Sequence, residues 1–241
     1  MELFCYVFLP ALAGGLIQGV TGFGAGVIMM MFLPFEFSII QSAGLSCAIS
    51  IILSSIMVYR YRKNVNIRKI IIPAVLYLTI SSISIIFAKF INQNVMKMIL
   101  GIFLIVLAIY FLFFNNKTIE PKGMLSITCI IISGMCDGLF GIGGPLMVIY
   151  FLTKTSSKEE YLGTIQCFFL INTVYTTIFR IFNSIITISL LPVIAFGMIG
   201  IILGVIVANR IIDKLDGELL KILTYILIAL CGISNVVTTL L

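Results

Sequence analysis

The sequence predicts an all-α integral membrane protein built from two inverted-topology repeats. Each repeat is a glycine-rich, broken or re-entrant helical hairpin followed by three transmembrane helices. Three observations carry this reading. Hydrophobic residues make up 61% of the 241-residue chain and charged residues 10%, with a mean hydropathy of +1.24, whereas a soluble domain carries about 25% charge. The apolar sequence falls into eight segments separated by short polar stretches. Finally, the pattern Gly15-x3-Gly19-x2-Gly22-x-Gly24 returns 119 residues later as Gly134-x3-Gly138-x2-Gly141-x-Gly143.

The first repeat (residues 1–114) opens with the apolar segment 3–35, followed by spans 39–58, 70–88 and 95–114. A polar linker, 115–122 (NNKTIEPK), joins it to the second repeat (residues 123–241), with segment 125–152 and spans 162–179, 185–208 and 219–241. A spanning helix needs about 20 residues, which six of the segments supply. Segments 3–35 and 125–152, the two that carry the glycine patterns, are too long: at 1.5 Å per residue they would run roughly 42–50 Å against about 30 Å of hydrocarbon. The repeat extends beyond glycine, for Tyr59-Arg60 matches Phe179-Arg180, Pro73 matches Pro192 and Lys97 matches Lys221.

Charge decides how the long segments lie. If each crossed once, Lys and Arg would divide seven against eight, with no bias. If each is a hairpin of two half-helices, twelve (Arg60, Arg62, Lys63, Arg68, Lys69, Lys117, Lys122, Lys154, Lys158, Arg210, Lys214, Lys221) gather on one side and only Lys89, Lys97 and Arg180 on the other. Cytoplasmic loops are the ones enriched in Lys and Arg, so the hairpin reading is preferred. It places both termini outside the cytoplasm. It also turns the second half upside down relative to the first, so that the hairpins enter from opposite faces and meet near the midplane.

A helix interrupted inside a bilayer exposes backbone N–H groups and the positive end of its dipole, which together suit an anion. Gly22, Gly24, Gly141, Gly143 and Gly144 let the backbone itself approach a ligand, and Thr21 lies inside the first break. Close helix packing of the small-xxx-small kind is the competing explanation for the glycines. Asp137 is the one acid deep in an apolar segment, with Gln18 as its counterpart in the first repeat. An intramembrane carboxylate points to proton coupling, ion coordination or capping of the break. Gln166 and Asn172, with Gln41 and Ser46, are polar residues for a cavity wall or for interhelical hydrogen bonds. Arg60 and Arg180 read as matched helix-end cations that either draw anions to two vestibules or snorkel to the interface. Six cysteines lie in apolar segments without paired spacing, Cys136 and Cys47 near the expected site. The N-terminal MELFCYVFLP lacks the positive region of a cleavable signal peptide.

The paired glycine motifs, the ending GIGGP of the second copy, the run GLFGIGGPLMVIYFL and the 4+4 segment pattern resemble the TauE/SafE, or sulfite exporter, family over essentially the whole chain. Members of that family move small sulfur-containing anions such as sulfite, thiosulfate and sulfonates across the cytoplasmic membrane. The resemblance implies that Gly22, Gly24, Gly141, Gly143 and Gly144 build the substrate site. The first copy departs from the second at Ala25-Gly26, where the second has Gly144-Pro145.

Enzymatic readings are excluded by composition. Histidine is absent, which removes a Ser–His pair, and one membrane acid is too few for an aspartyl dyad. No G-x4-G-K-[ST] motif is present for nucleotide, no ligand cluster calls for a metal or cofactor, and the scattered basic residues are no nucleic-acid footprint. The expected partners are a small anion, the bilayer and a coupling proton, with a homo-oligomer left open. The expectation is a secondary transporter, with a passive anion channel or a carboxylate carrier as the alternative.

Overall fold

The computed structural model describes residues 3–114, 123–211 and 217–240; the linker 115–122, with Lys117 and Lys122, and Lys214 lie outside the described residues. It contains ten α-helices and, among the described residues, no strand. They are α1 (Leu9–Thr21), α2 (Ala25–Phe32), α3 (Ile39–Tyr61), α4 (Arg68–Ala88), α5 (Gln93–Phe114), α6 (Met124–Phe140), α7 (Gly144–Lys154), α8 (Lys158–Phe182), α9 (Leu191–Ile211) and α10 (Gly217–Leu240). Six helical stretches are long and apolar enough to cross a bilayer. The outer faces bear side chains such as Ile72, Val75, Phe87 and Val106, while Ser42, Ser46, Ser81, Gln166 and Arg180 are buried. This distribution, apolar outside and polar inside, is that of an integral membrane protein.

Both long segments break where the glycines predict. Gly22, at φ +86°, ends α1 by donating its N–H to the Gln18 carbonyl at 2.8 Å. Gly141, at φ +66°, ends α6 by donating to the Asp137 carbonyl at 2.7 Å. These left-handed caps favour glycine, which has no Cβ to clash. The chain then doubles back: an added Cβ on Gly14 would come within 3.1 Å of the Ala25 Cα. The Tyr6 and Phe35 rings, at the two ends of the hairpin, lie 5.9 Å apart.

The arms of each hairpin are unequal, which corrects the expectation of two half-helices. Phe4–Thr21 is 18 residues, or about 27 Å, close to a full hydrocarbon span. Ala25–Phe35 and Gly144–Lys154 are half-length arms of about 16 Å. Three residues, Gly22–Gly24, separate the long arm from the short one. The other corrections are at ends. Segment 185–208 begins its α-helix only at Leu191, because Ile185 and Ile186 are buried in a loop where Ser184 adopts φ +58°.

Contacts sort the helix ends into two groups. At one end the Ile39 N–H donates to Gln93 Oε1 (3.2 Å) and Lys89 Nζ donates to the Asn183 carbonyl (2.8 Å). At the other, Arg60 Nη1 donates to Asn209 Oδ1 (2.5 Å) and Lys69 pairs with Glu160 (2.6 Å). Arg62, Lys63, Arg68, Lys154, Lys158 and Arg210 belong to this second, basic end by their positions in the chain. The four most extensive packings are α1 on α9, α4 on α6, α3 on α8 and α5 on α10. Exchanging the first five helices with the last five maps this set onto itself.

Glycine makes the closest of these packings. Gly15 meets the Ile201 carbonyl on α9, and its counterpart Gly134 meets the Tyr77 carbonyl on α4. Gly138 leaves only 2.5 Å between an added Cβ and the Ser81 carbonyl. Gly138→Val is therefore expected to destabilise the protein by about 1–3 kcal/mol or more, while Ile72→Val, on the lipid-facing surface, changes little. Thermal unfolding in detergent measures the difference.

Candidate functional site

A cavity of about 60 Å³ lies where the two hairpins meet, closed by α3, α4 and α8. A water molecule needs roughly 10–15 Å³ by this measure, so the space suits a few waters or one small ion. The first hairpin contributes Gln18, Phe23, Gly24, Gly26 and Val27; the second contributes Asp137 and the run Gly141–Pro145. The half-length helices α2 and α7 both begin at its wall. Gly26 and Val27 precede the first hydrogen bond of α2, from the Ile28 N–H to the Gly24 carbonyl at 3.0 Å, so their N–H groups have no partner within the helix. Pro145, in the first turn of α7, has no N–H to leave open.

Two residues at matching positions hold the breaks differently. Gln18 Oε1 accepts from the Ala25 N–H at 3.1 Å, capping α2, and Gln18 Nε2 donates to Gln166 Oε1 at 3.3 Å. Gln166 Nε2 in turn donates to the Gly22 carbonyl at 2.5 Å. Asp137 has no capping role among its hydrogen bonds. Its carboxylate accepts from Ser81 Oγ at 2.8 Å and from Asn172 Nδ2 at 3.0 Å, at 2% exposure. The Tyr77 hydroxyl lies close enough to interact with the same carboxylate, though without the alignment of a directed hydrogen bond.

Arg180 departs from its expected place at an interface. It is fully buried, with Nη2 donating to the Asp137 and Gly138 carbonyls at 2.9 and 3.0 Å and Nη1 donating to Cys47 Sγ at 3.3 Å. It therefore satisfies the carbonyl end of α6 rather than lining a vestibule. Arg60, by contrast, is exposed.

Of the residues singled out from sequence, Gly24, Gly141, Gly143, Gly144, Asp137, Gln18 and Asn172 line the cavity together. Four others do not. Gly22 and Gln166 are tied to each other behind the tip of the first hairpin. Thr21 Oγ1 donates within its own turn, to the Ile17 and Phe23 carbonyls, at 2.8 Å each. Cys136 is half-buried outside the lining, whereas Cys47 is in it. Gln41 serves the start of α3, its N–H donating to Ser38 Oγ at 3.3 Å. Gly143 has φ −100°, so conformation does not require glycine there; an added Cβ would instead overlap the Tyr77 hydroxyl. Among the described residues no group of three His, Cys, Asp or Glu side chains could hold a metal.

Four polar atoms at this cavity are buried without a hydrogen-bond partner: Ser46 Oγ, Ser54 Oγ, Tyr77 Oη and Asn172 Oδ1. Buried polar groups are normally paired, and these four all border one space.

The sequence matches the sulfite exporter TauE/SafE family over residues 7–235. The chain belongs to the sulfite exporter TauE/SafE family. It is also 30% identical over 149 residues to a protein of Methanocaldococcus jannaschii named "probable membrane transporter protein", an alignment covering 56% of each chain. No solved structure matches. Family membership and the six long apolar helices make the TauE/SafE protein described here a multi-pass membrane protein.

Sequence reasoning missed Ser50, Ser54 and Tyr77. The serines carried a legible signal, because Ser42, Ser46, Ser50 and Ser54 recur every four residues along one face of α3 and are all buried. Tyr77 carried none: only the fold brings it against Gly143 and Asp137. The two neighbouring glycines separate the roles of space and chemistry. Gly143→Ala is expected to lower stability by about 1–3 kcal/mol through its overlap with Tyr77. Gly144→Ala, whose nearest new neighbour is Phe169 Cζ at 3.5 Å, is expected to fold normally. Gln166→Leu leaves the Gly22 carbonyl unpaired and is expected to cost about 1–3 kcal/mol. Thermal unfolding of the three variants in detergent is the check.

Proposed function

We propose that this TauE/SafE protein is a secondary transporter of a small sulfur-containing anion, such as sulfite, thiosulfate or an organosulfonate. It works by alternating access, with a proton as coupling ion. The observation that carries this reading is the set of orphaned hydroxyls of Ser46, Ser54 and Tyr77, facing the same small cavity at which two half-length helices begin. Hydroxyls and first-turn N–H groups are donors, and the oxygens of an oxyanion are their complement. The volume of about 60 Å³ favours a small anion.

In this proposal the two halves are inverted repeats, their hairpins entering from opposite faces of the cytoplasmic membrane. The exchange pattern of helix packing supports it, as does the meeting of both hairpins at one cavity. The basic end, with Arg62, Lys63, Arg68 and Lys69, faces the cytoplasm, which leaves both termini outside. Rocking of one repeat against the other then opens the cavity to each side in turn. The substrate-contacting groups are the backbone at Gly24, Gly26, Gly141, Gly143 and Gly144 and the side chains of Ser46, Ser54, Tyr77 and Asn172.

Uptake of radiolabelled sulfite and thiosulfate into proteoliposomes, with and without an imposed pH gradient, tests the proposal. Saturable uptake stimulated by the gradient is expected. A hydrogen bond to a charged ligand contributes about 1.5–3 kcal/mol, so Ser54→Ala or Tyr77→Phe should each raise the half-saturating concentration about tenfold or more. Flux that never saturates and ignores the gradient would make the protein a channel instead.

A further inference from the structure

The cavity is unusual for an anion site in the charges around it. No Lys or Arg lines it, and its one acidic side chain is Asp137. The nearest cation, Arg180, is absent from the lining because its guanidinium is committed to the Asp137 and Gly138 carbonyls and to Cys47 Sγ. Both oxygens of Asp137 accept hydrogen bonds, from Ser81 and Asn172, an arrangement suited to a carboxylate. The remaining titratable groups at the wall are Tyr77 on α4 and Cys47 on α3; α1, α2 and α7 contribute none. An incoming anion therefore meets neutral donors and one like charge.

The orphaned atoms carry a second message. Three are hydroxyls, which can donate, but Asn172 Oδ1 can only accept. Because Asn172 Nδ2 is held by the Asp137 carboxylate at 3.0 Å, the amide cannot turn over to present its N–H groups to the cavity. A fully deprotonated oxyanion offers acceptors alone. It would leave Asn172 Oδ1 unpaired and set two negative charges on the anion against Asp137.

We infer that the cavity takes its anion in a singly charged, protonated form, such as hydrogen sulfite, with Asp137 as the residue that rejects the dianion. The inference rests on the transporter reading and narrows it. The anion's oxygens accept from Ser46, Ser54 and Tyr77, and its O–H donates to Asn172 Oδ1. The coupling proton then travels on the cargo, bound to it in solution before entry and released from it after exit, and Asp137 keeps its charge throughout.

Initial uptake by the full chain in proteoliposomes, at equal pH inside and outside, tests this with three probes. Sulfite passes between hydrogen sulfite and the dianion near neutral pH, methanesulfonate is a monoanion throughout, and sulfate is a dianion throughout. Sulfite uptake is expected to fall at least tenfold as pH rises through that interval, while methanesulfonate, a monoanion with no O–H for Asn172 Oδ1, is taken up more weakly than hydrogen sulfite but equally at every pH, and sulfate is excluded. Asp137→Asn, checked for insertion in the membrane, should flatten the sulfite profile and admit sulfate. Parallel loss of methanesulfonate uptake would place the proton on the protein and overturn the inference. So would wild-type uptake of sulfate equal to that of sulfite, a comparison that needs no variant. Either result leaves the transporter standing, whereas no uptake of any of the three anions removes both readings.

Discussion

A helix cannot stop inside a bilayer unless something other than water takes its hydrogen bonds, and the whole interior of this protein answers that constraint. Two interruptions, at Gly22–Gly24 and Gly141–Gly143, create carbonyl ends and N–H ends at membrane depth. The first is satisfied by two glutamines in series, Gln18 on the N–H of Ala25 and Gln166 on the carbonyl of Gly22. The second is satisfied by an arginine on two carbonyls of α6. What these side chains leave uncovered is the set of donors that faces the cavity.

Gln166, Asn172 and Arg180 all belong to α8. One helix thus touches the tip of the first hairpin, the carboxylate of Asp137 and the carbonyl end of α6. It also packs extensively against α3, its own counterpart under exchange of the halves. α8 therefore cannot move relative to both hairpins without breaking hydrogen bonds to one of them.

The sequence displayed the backbone of the site more clearly than its side chains. A fixed offset between two glycine patterns survives translation into structure because left-handed caps and close helix contacts tolerate nothing larger, as at Gly22, Gly141 and Gly138. Segment length exposed the broken helices for the same physical reason, since the bilayer sets a span. It did not reveal that the two arms are unequal in length, because the position of a break within an apolar run leaves no trace in hydropathy. Arg180 was misread because a cation near the end of an apolar segment looks like an interfacial residue; the partner that keeps it inside is a backbone carbonyl, which has no sequence identity. Tyr77 was invisible for a related reason: its neighbours Asp137 and Gly143 lie some 60 residues away along the chain.

The four largest helix packings all join one half of the chain to the other, and this bears on how the protein is made. When the first five helices have entered the membrane, α1 has no α9 to receive Gly15 and Gly19, and α3 and α5 lack their principal neighbours. The break at Gly22 must wait for Gln166 to be synthesised before its carbonyl is held. The nascent first half is thus a set of inserted helices without its principal packing, and assembly is a late, long-range event of the kind that slows folding. Biosynthetically, the protein behaves as an interlocked dimer whose two subunits arrive one after the other on a single strand.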